Sequence, residues 1–128
     1  MAYNILIIDD SSIVRRVLKK SLGLAEIELG EVYEAENGQQ GLDVLQENWI
    51  DLVFLDINMP VMNGMEFMRK VRSNNALSAT PIIIISTEGS KERKEELMSM
   101  DIKAYLRKPI TPEQLTSTIS ELLGGASV

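Results

Sequence analysis

Short apolar runs alternate along this chain with segments of helical period, and few architectures accommodate that pattern. Ile5–Ile8, Leu52–Leu55 and Ile82–Ile85 are uninterrupted apolar stretches, as expected of strands covered on both faces. The alternation reads as successive β–α units around a parallel sheet. It predicts strands near 4–9, 31–36, 51–56, 81–86 and 103–107, and helices near 12–23, 38–47, 64–73, 90–100 and 112–123. The 128 residues, 45% of them hydrophobic, suffice for one core. No long linker, low-complexity tract or internal repeat divides them. Residues 1–125 are therefore expected to form one domain, with 126–128 a loose tail beyond the helix stop Gly124-Gly125.

The second strand, Glu31-Val32-Tyr33-Glu34-Ala35-Glu36, is polar enough for a sheet edge, and the fifth, running into Arg107 and Lys108, suits the other edge. Strands two and five at the edges match the 2-1-3-4-5 order of the flavodoxin-like doubly wound fold, here with five helices. Composition alone leaves other orders open.

The residues that close the strands carry the chemistry. Asp9 and Asp10 follow Ile8, Asp56 follows Leu55, Ser86 follows Ile85, and Lys108 follows Arg107. In an open parallel sheet the strand C-termini share one edge, where ligands bind. Three carboxylates, a hydroxyl and an ammonium on that edge suit a hard divalent metal and a phosphoryl group. Mg²⁺ takes near-octahedral oxygen ligands, one or two of them carboxylates, and keeps several waters. Asp10 and Asp56 can supply carboxylates, Asp9 can hold a coordinated water, and the Asn58 carbonyl in the following turn can add an oxygen. A carboxylate is also a nucleophile toward phosphorus. Lys108 then serves as a point charge on phosphoryl oxygens, and Ser86 as a hydrogen-bond donor to them. Each residue also has a plainer reading: a helix cap at Asp9-Asp10, a turn at Asp56-Ile57-Asn58, a surface lysine at Lys108, a strand-end cap at Ser86. Taken singly these are the better readings. Joint placement on one edge favours the site.

Composition excludes several alternatives. The chain has no cysteine and no histidine, which removes disulfides, thiolate or imidazole metal sites and any phosphohistidine. Lack of cysteine fits a reducing cytosol. No apolar run approaches the ~20 residues of a membrane span, and Met1-Ala2-Tyr3-Asn4 lacks the features of a signal peptide. A cytoplasmic protein is expected, with no membrane partner. The net charge of −6 argues against nucleic acid.

Helix starts are signalled locally. Asn63 with Glu66, and Thr111-Pro112 with Gln114, read as capping pairs. The stripe Leu115, Ile119, Leu122, Leu123 continues the last helix. The segment 90–100 is polar on every side. Only Leu97, Met98 and Met100 can pack, and a Lys91–Glu95 pair can support it.

Assembled, these residues resemble the receiver domain of two-component response regulators, above all the single-domain chemotaxis (CheY-like) members. The likeness covers residues 3–123. It rests on Asp9-Asp10-Ser11, on Asp56-x-Asn58-Met59-Pro60-x-Met62-Asn63-Gly64, on Pro81 through Ser86, and on Lys108-Pro109. Asp56 and Ser86 are 30 positions apart, and Ser86 and Lys108 are 22 apart, close to the family's spacing. The resemblance implies that Asp56 is phosphorylated and that Asp9, Asp10, Asp56 and the Asn58 carbonyl form the Mg²⁺ site. It implies that Ser86 is the switch hydroxyl, that Lys108 holds the phosphoryl group, and that the Tyr105 ring moves on phosphorylation. The sequence itself reads Tyr105 equally well as a half-buried strand residue. The family often has a cis bond before the proline at Pro109. Residues 90–123 match the face that docks kinases and output proteins.

Three positions modify the expectation. Thr87 stands where most relatives have Ala or Gly, and a larger side chain there hinders phosphodonor or water access. Asp101 stands where many have Gly, at a helix end that wants a left-handed backbone. Asn58 and Glu88 match types found in chemotaxis receivers at positions that tune phosphoryl lifetime, so an intermediate lifetime is expected.

The expected function is a monomeric response regulator, not an enzyme beyond its own phosphorylation and dephosphorylation. A histidine kinase is the expected donor. Output is expected through protein contacts, with a flagellar motor switch component as the target, because no output domain is attached. A phosphorelay or phosphate-sink role fits the same residues. An aspartyl-phosphate phosphatase of the haloacid dehalogenase type needs an acid two positions after its nucleophile, where Asn58 stands. A flavin carrier on this fold would meet repulsion from Asp9-Asp10, and no nucleotide-binding glycine motif is present.

Overall fold

The alternating pattern forms five β–α units in a computed structural model that describes residues 2–25, 27–87 and 90–124, with side chains through Leu122. In chain order these are β1 (Tyr3–Ile8), α1 (Ser12–Leu24), β2 (Leu29–Ala35), α2 (Gly38–Glu47), β3 (Leu52–Leu55), α3 (Gly64–Ser73), β4 (Ile82–Ser86), α4 (Lys91–Met98), β5 (Ala104–Arg107) and α5 (Pro112–Ile119). The strands pair in parallel in the order β2-β1-β3-β4-β5, so the two polar strands are the edges as expected.

Period-two side chains split the central strands between two apolar layers. Leu6, Ile8, Val53, Leu55, Ile82 and Ile84 join Leu42, Phe67, Met68 and Leu97 from α2, α3 and α4. Ile5, Ile7, Leu52, Phe54, Ile83 and Ile85 join Leu18, Leu22, Leu115 and Ile119 from α1 and α5. Each such burial stabilises by roughly 1.5–3 kcal/mol relative to exposure. Both layers grip β1, β3 and β4 and hold their C-terminal ends fixed.

Both expected capping boxes are present. Asn63 accepts from the Glu66 N–H at 3.0 Å while Glu66 accepts from the Asn63 N–H, and Thr111 and Gln114 make the same exchange. Two helices differ from expectation. α4 is shorter, with Ser90 as its N-cap, and Leu97 is its one buried residue. Met98, expected to pack, is 51% exposed, while Met100 packs on the core from the turn after the helix. Eight residues with so little apolar spacing leave no second stripe to bury. α5 ends at Ile119 and widens into a π-helical turn over Ser120–Gly124, where Ser120 and Gly124 give weak α-helical support. Glu88, Gly125, the tail 126–128 and the Leu123 side chain lie outside what is described.

Candidate functional site

The sheet order sets the ends of β1 and β3 side by side, where successive connections leave in opposite directions. Main-chain bonds carry the ladder one residue further. The Asp9 N–H donates to the Ala35 carbonyl at 3.0 Å, the Asp56 N–H to the Ile8 carbonyl at 2.9 Å, and the Lys108 N–H to the Ser86 carbonyl at 2.9 Å. The acids are thereby gathered: one carboxylate oxygen each from Asp9, Asp10 and Asp56 lies within 4.8 Å of the others. Lys108 reaches in from β5, its Nζ 2.7 Å from Asp9 Oδ2 and 3.7 Å from Asp56 Oδ1.

Burial divides the cluster. Asp9 and Asp56 are buried, and Asp10 is exposed. Asp9 Oδ1 accepts from the Ser11 N–H at 2.9 Å, and Ser11 itself caps α1. Neither acid therefore serves as the N-cap. The Asp56 carboxyl is pushed up from 3.8 to about 6, first by burial and then by the negative charge of Asp9. Lys108 and the main-chain N–H groups of Ile57 and Asn58 pull it the other way. Three carboxylates against one ammonium leave a net charge that a divalent cation balances. Oxygens on opposite sides of Mg²⁺ lie about 4.2 Å apart, so donors gathered within 4.8 Å need at most a small inward shift to meet a hard ion.

A stapled loop walls the site. Asp56 Oδ1 accepts from the Ile57 N–H at 2.8 Å, and the Ile57 carbonyl accepts from the Gly64 N–H at 2.9 Å. A Cβ on Gly64 would lie 2.5 Å from the Asp56 carbonyl oxygen and 2.7 Å from Ile57 Cα. Only glycine lets α3 begin this close to the acidic strand end. Between them, the Met62 N–H donates to the Pro60 carbonyl across Val61, whose φ is 66°. That is a γ-turn of the rare, strained hand. The Met62 carbonyl in turn accepts from the Gly38 N–H at the start of α2. Asn58 lies exposed in this loop directly after the cluster.

The remaining expected residues spread outward from Lys108. Ser86 is fully buried at the end of β4 and Thr87 is exposed beside it. The Lys108–Pro109 bond is cis. A groove of about 420 Å³ opens next to Lys108, lined by Ile13, Val17, Ile85, Thr87 and Ile110 among others. Tyr105 is half-buried, with Lys94 Nζ 5.8 Å from its ring centre. Asp101 takes the left-handed backbone expected of it, at φ 62°. A larger cavity, about 540 Å³, lies at the strands' other ends beside Trp49 and Pro81 and touches none of the clustered acids.

Sequence reasoning passed over Arg15 and Arg72. Arg15 is buried against the Asp9 main chain. Arg72 donates to the carbonyls of Ser78, Thr80, Met100 and Asp101, tying α3 to the turns before β4 and β5. An arginine on an amphipathic helix carries no sign of a tertiary carbonyl partner, so neither was legible.

A family model described as the response regulator receiver domain matches residues 5–120. This chain belongs to that family. The receiver is 36% identical over 124 residues to a chemotaxis protein CheY homolog of Campylobacter jejuni, covering 96% of this chain and 94% of that one. It is 37% identical over 121 residues to chemotaxis protein CheY1 of Helicobacter pylori, covering 94% and 96%. Among solved structures, chemotaxis response regulator CheY4 of Vibrio cholerae matches at a TM-score of 0.84 and 34% identity, over 96% of this chain and all of that one. Among the described residues of the receiver, no helix is long and apolar enough to cross a membrane.

Proposed function

We propose that this receiver takes a phosphoryl group on Asp56 from a histidine kinase and thereby switches a protein-binding face. The observation that carries the reading is the buried Asp56 carboxylate set between two further acids and Lys108. An Asp56 oxygen attacks phosphorus, the donor's P–N bond breaks, and its electron pair leaves with the imidazole. Asp56 is left as an acyl phosphate. Asp9, Asp10, Asp56 and the Asn58 carbonyl are the residues that would hold Mg²⁺. When bound, the ion offsets the charge that builds between carboxylate and phosphoryl oxygens. Lys108, already poised between Asp9 and Asp56, follows the phosphoryl group as a second positive charge. Ser86 donates to a phosphoryl oxygen, Thr87 limits access from the groove side, and Pro109 follows Lys108 in the same loop.

Output follows from the same geometry. Ser86 ends β4, and Tyr105 lies on the neighbouring β5 under Lys94 of α4. Drawing Ser86 toward a phosphoryl group opens space beside it for the Tyr105 ring, and the α4–β5–α5 face changes shape. Likeness to chemotaxis proteins supports a flagellar motor switch component as the partner and the cytoplasm as the location. The receiver acts as a monomeric single domain over residues 1–125, with chemistry confined to its own phosphorylation and dephosphorylation. Intact-mass analysis after incubation with a small acyl phosphate and Mg²⁺ tests the reading. One added phosphoryl group is expected, absent from Asp56→Asn and suppressed by EDTA; labelling that persists in both would overturn it.

A further inference from the structure

Five polar or charged residues are buried among the described residues: Asp9, Arg15, Ser21, Asp56 and Ser86. Three belong to the candidate site. Arg15, on α1, is bonded to one of these. Its Nη1 donates to the main-chain carbonyl of Asp9, and its Nε donates to Glu34 Oε1 of β2 at 3.0 Å. Lys19 lies 3.7 Å from the other Glu34 oxygen. A buried guanidinium needs partners on several N–H groups, and here the partners are a carboxylate on the edge strand and that one carbonyl.

The carbonyl matters because of what it joins. It belongs to the peptide unit between Asp9 and Asp10, a plane that includes both Cα atoms. Fixing the plane fixes where both Cα atoms sit and, with the plane before Asp9 also held, the direction in which the Asp9 side chain leaves the chain. The Asp9 N–H, bound to Ala35, holds the plane before it. The Asp9 carboxylate is held by the Ser11 N–H and Lys108. Arg15 adds a constraint, through the Asp9 carbonyl, on the unit that joins two of the three clustered acidic residues. Glu34 keeps the guanidinium from swinging away.

Resting on the Mg²⁺ reading above, we propose that Arg15 is a positioning residue for the cation site. It acts by locking the Asp9–Asp10 peptide plane, with Glu34 as its anchor. Groups placed behind metal ligands in this way typically change metal affinity by 10–100-fold when removed. Fork geometry is central: a lysine keeps the charge but cannot serve Glu34 and the carbonyl together in the same planar arrangement.

Calorimetric titration of Mg²⁺ into the unphosphorylated protein tests this, using the wild type, Arg15→Met, Arg15→Lys and Arg72→Lys. Arg72→Lys controls for lost stability, since it removes a main-chain clamp away from the cluster. Both Arg15 variants are expected to bind about tenfold more weakly, with Arg72→Lys unchanged. In ¹⁵N spectra, the Asp10 amide resonance should already be displaced in Mg²⁺-free Arg15→Lys. Should Arg15→Met fail to fold, Arg15→Lys decides the matter. Wild-type affinity in Arg15→Lys with an undisplaced Asp10 amide would overturn the positioning role and leave the site standing. Equal weakening in Arg72→Lys would reduce Arg15 to a stability effect. A wild type that binds no Mg²⁺ would remove the site itself, and the inference with it.

Discussion

Asp56 is held in the fold at the expense of its own ionisation. Its carboxyl is pushed up from the ordinary 3.8 to about 6, chiefly because it is buried and secondly because Asp9 is beside it. The folded state therefore binds more protons than the unfolded state between those values, and stability falls as pH rises from about 4 to about 6. At about 1.4 kcal/mol per pKa unit, the loss at neutral pH is about 3 kcal/mol. Asp56→Asn should be more stable than the wild type by that order at pH 7 in chelator, and the gap should close at pH 4. Denaturant titrations at the two pH values check it, and a gap that does not change with pH would contradict it. The gathering of three acids on one edge was legible in sequence, but which of them the fold buries was not. Nothing in the residues near Asp10 marks it as the exposed member of the cluster, while Asp9 and Asp56 are buried. Gly64 shows the same limit: in sequence it is a motif position, while its real constraint is a neighbouring backbone. Gly64→Ala should lose about 1–3 kcal/mol by overpacking and weaken Mg²⁺ binding, measurable by thermal unfolding and calorimetry on one sample.

At the scale of elements, α4 stands apart. α3 buries Met65, Phe67, Met68 and Val71, whereas α4 buries Leu97 alone. Its other attachments among the described residues include the exposed pairs Lys91–Glu95 and Arg69–Glu96 and the Lys94–Tyr105 contact, each worth under about 1 kcal/mol. Hydrogen exchange should release the α4 amides well before those of α3. Leu97→Ala should lose about 3 kcal/mol, while Met98→Lys, at an exposed position, should change stability by no more than about 0.5 kcal/mol. A large loss in Met98→Lys would mean that Met98 packs as its sequence suggested. The polar character of this helix was legible in its composition. Which methionine turns inward was not, because eight residues give too little periodicity to orient a face.

At the scale of the molecule, the sequence reading and the fold agree where the physics is local or periodic. Strand runs, capping boxes and the polar edges follow from residues near one another in the chain, and sheet order then gathers Asp9, Asp10, Asp56 and Lys108. The Arg15 and Arg72 clamps depend on tertiary placement and left no trace in sequence. The two ends of the sheet are also well separated in space. Trp49, the sole tryptophan, is exposed at the strands' N-terminal edge, its indole N–H donating to Asp51 at 2.9 Å. Mg²⁺ should leave its emission unchanged while calorimetry detects binding; strong quenching that survives Asp56→Asn would place the cation at the wrong edge. The most direct test of the central claim is chemical trapping of the acyl phosphate. After treatment with a small acyl phosphate and Mg²⁺, borohydride reduction and peptide mapping should find homoserine at position 56 alone, and none when EDTA is present. Homoserine at position 9 or 10, or at 56 regardless of EDTA, would contradict the assignment of Asp56 as the metal-dependent phosphoryl acceptor.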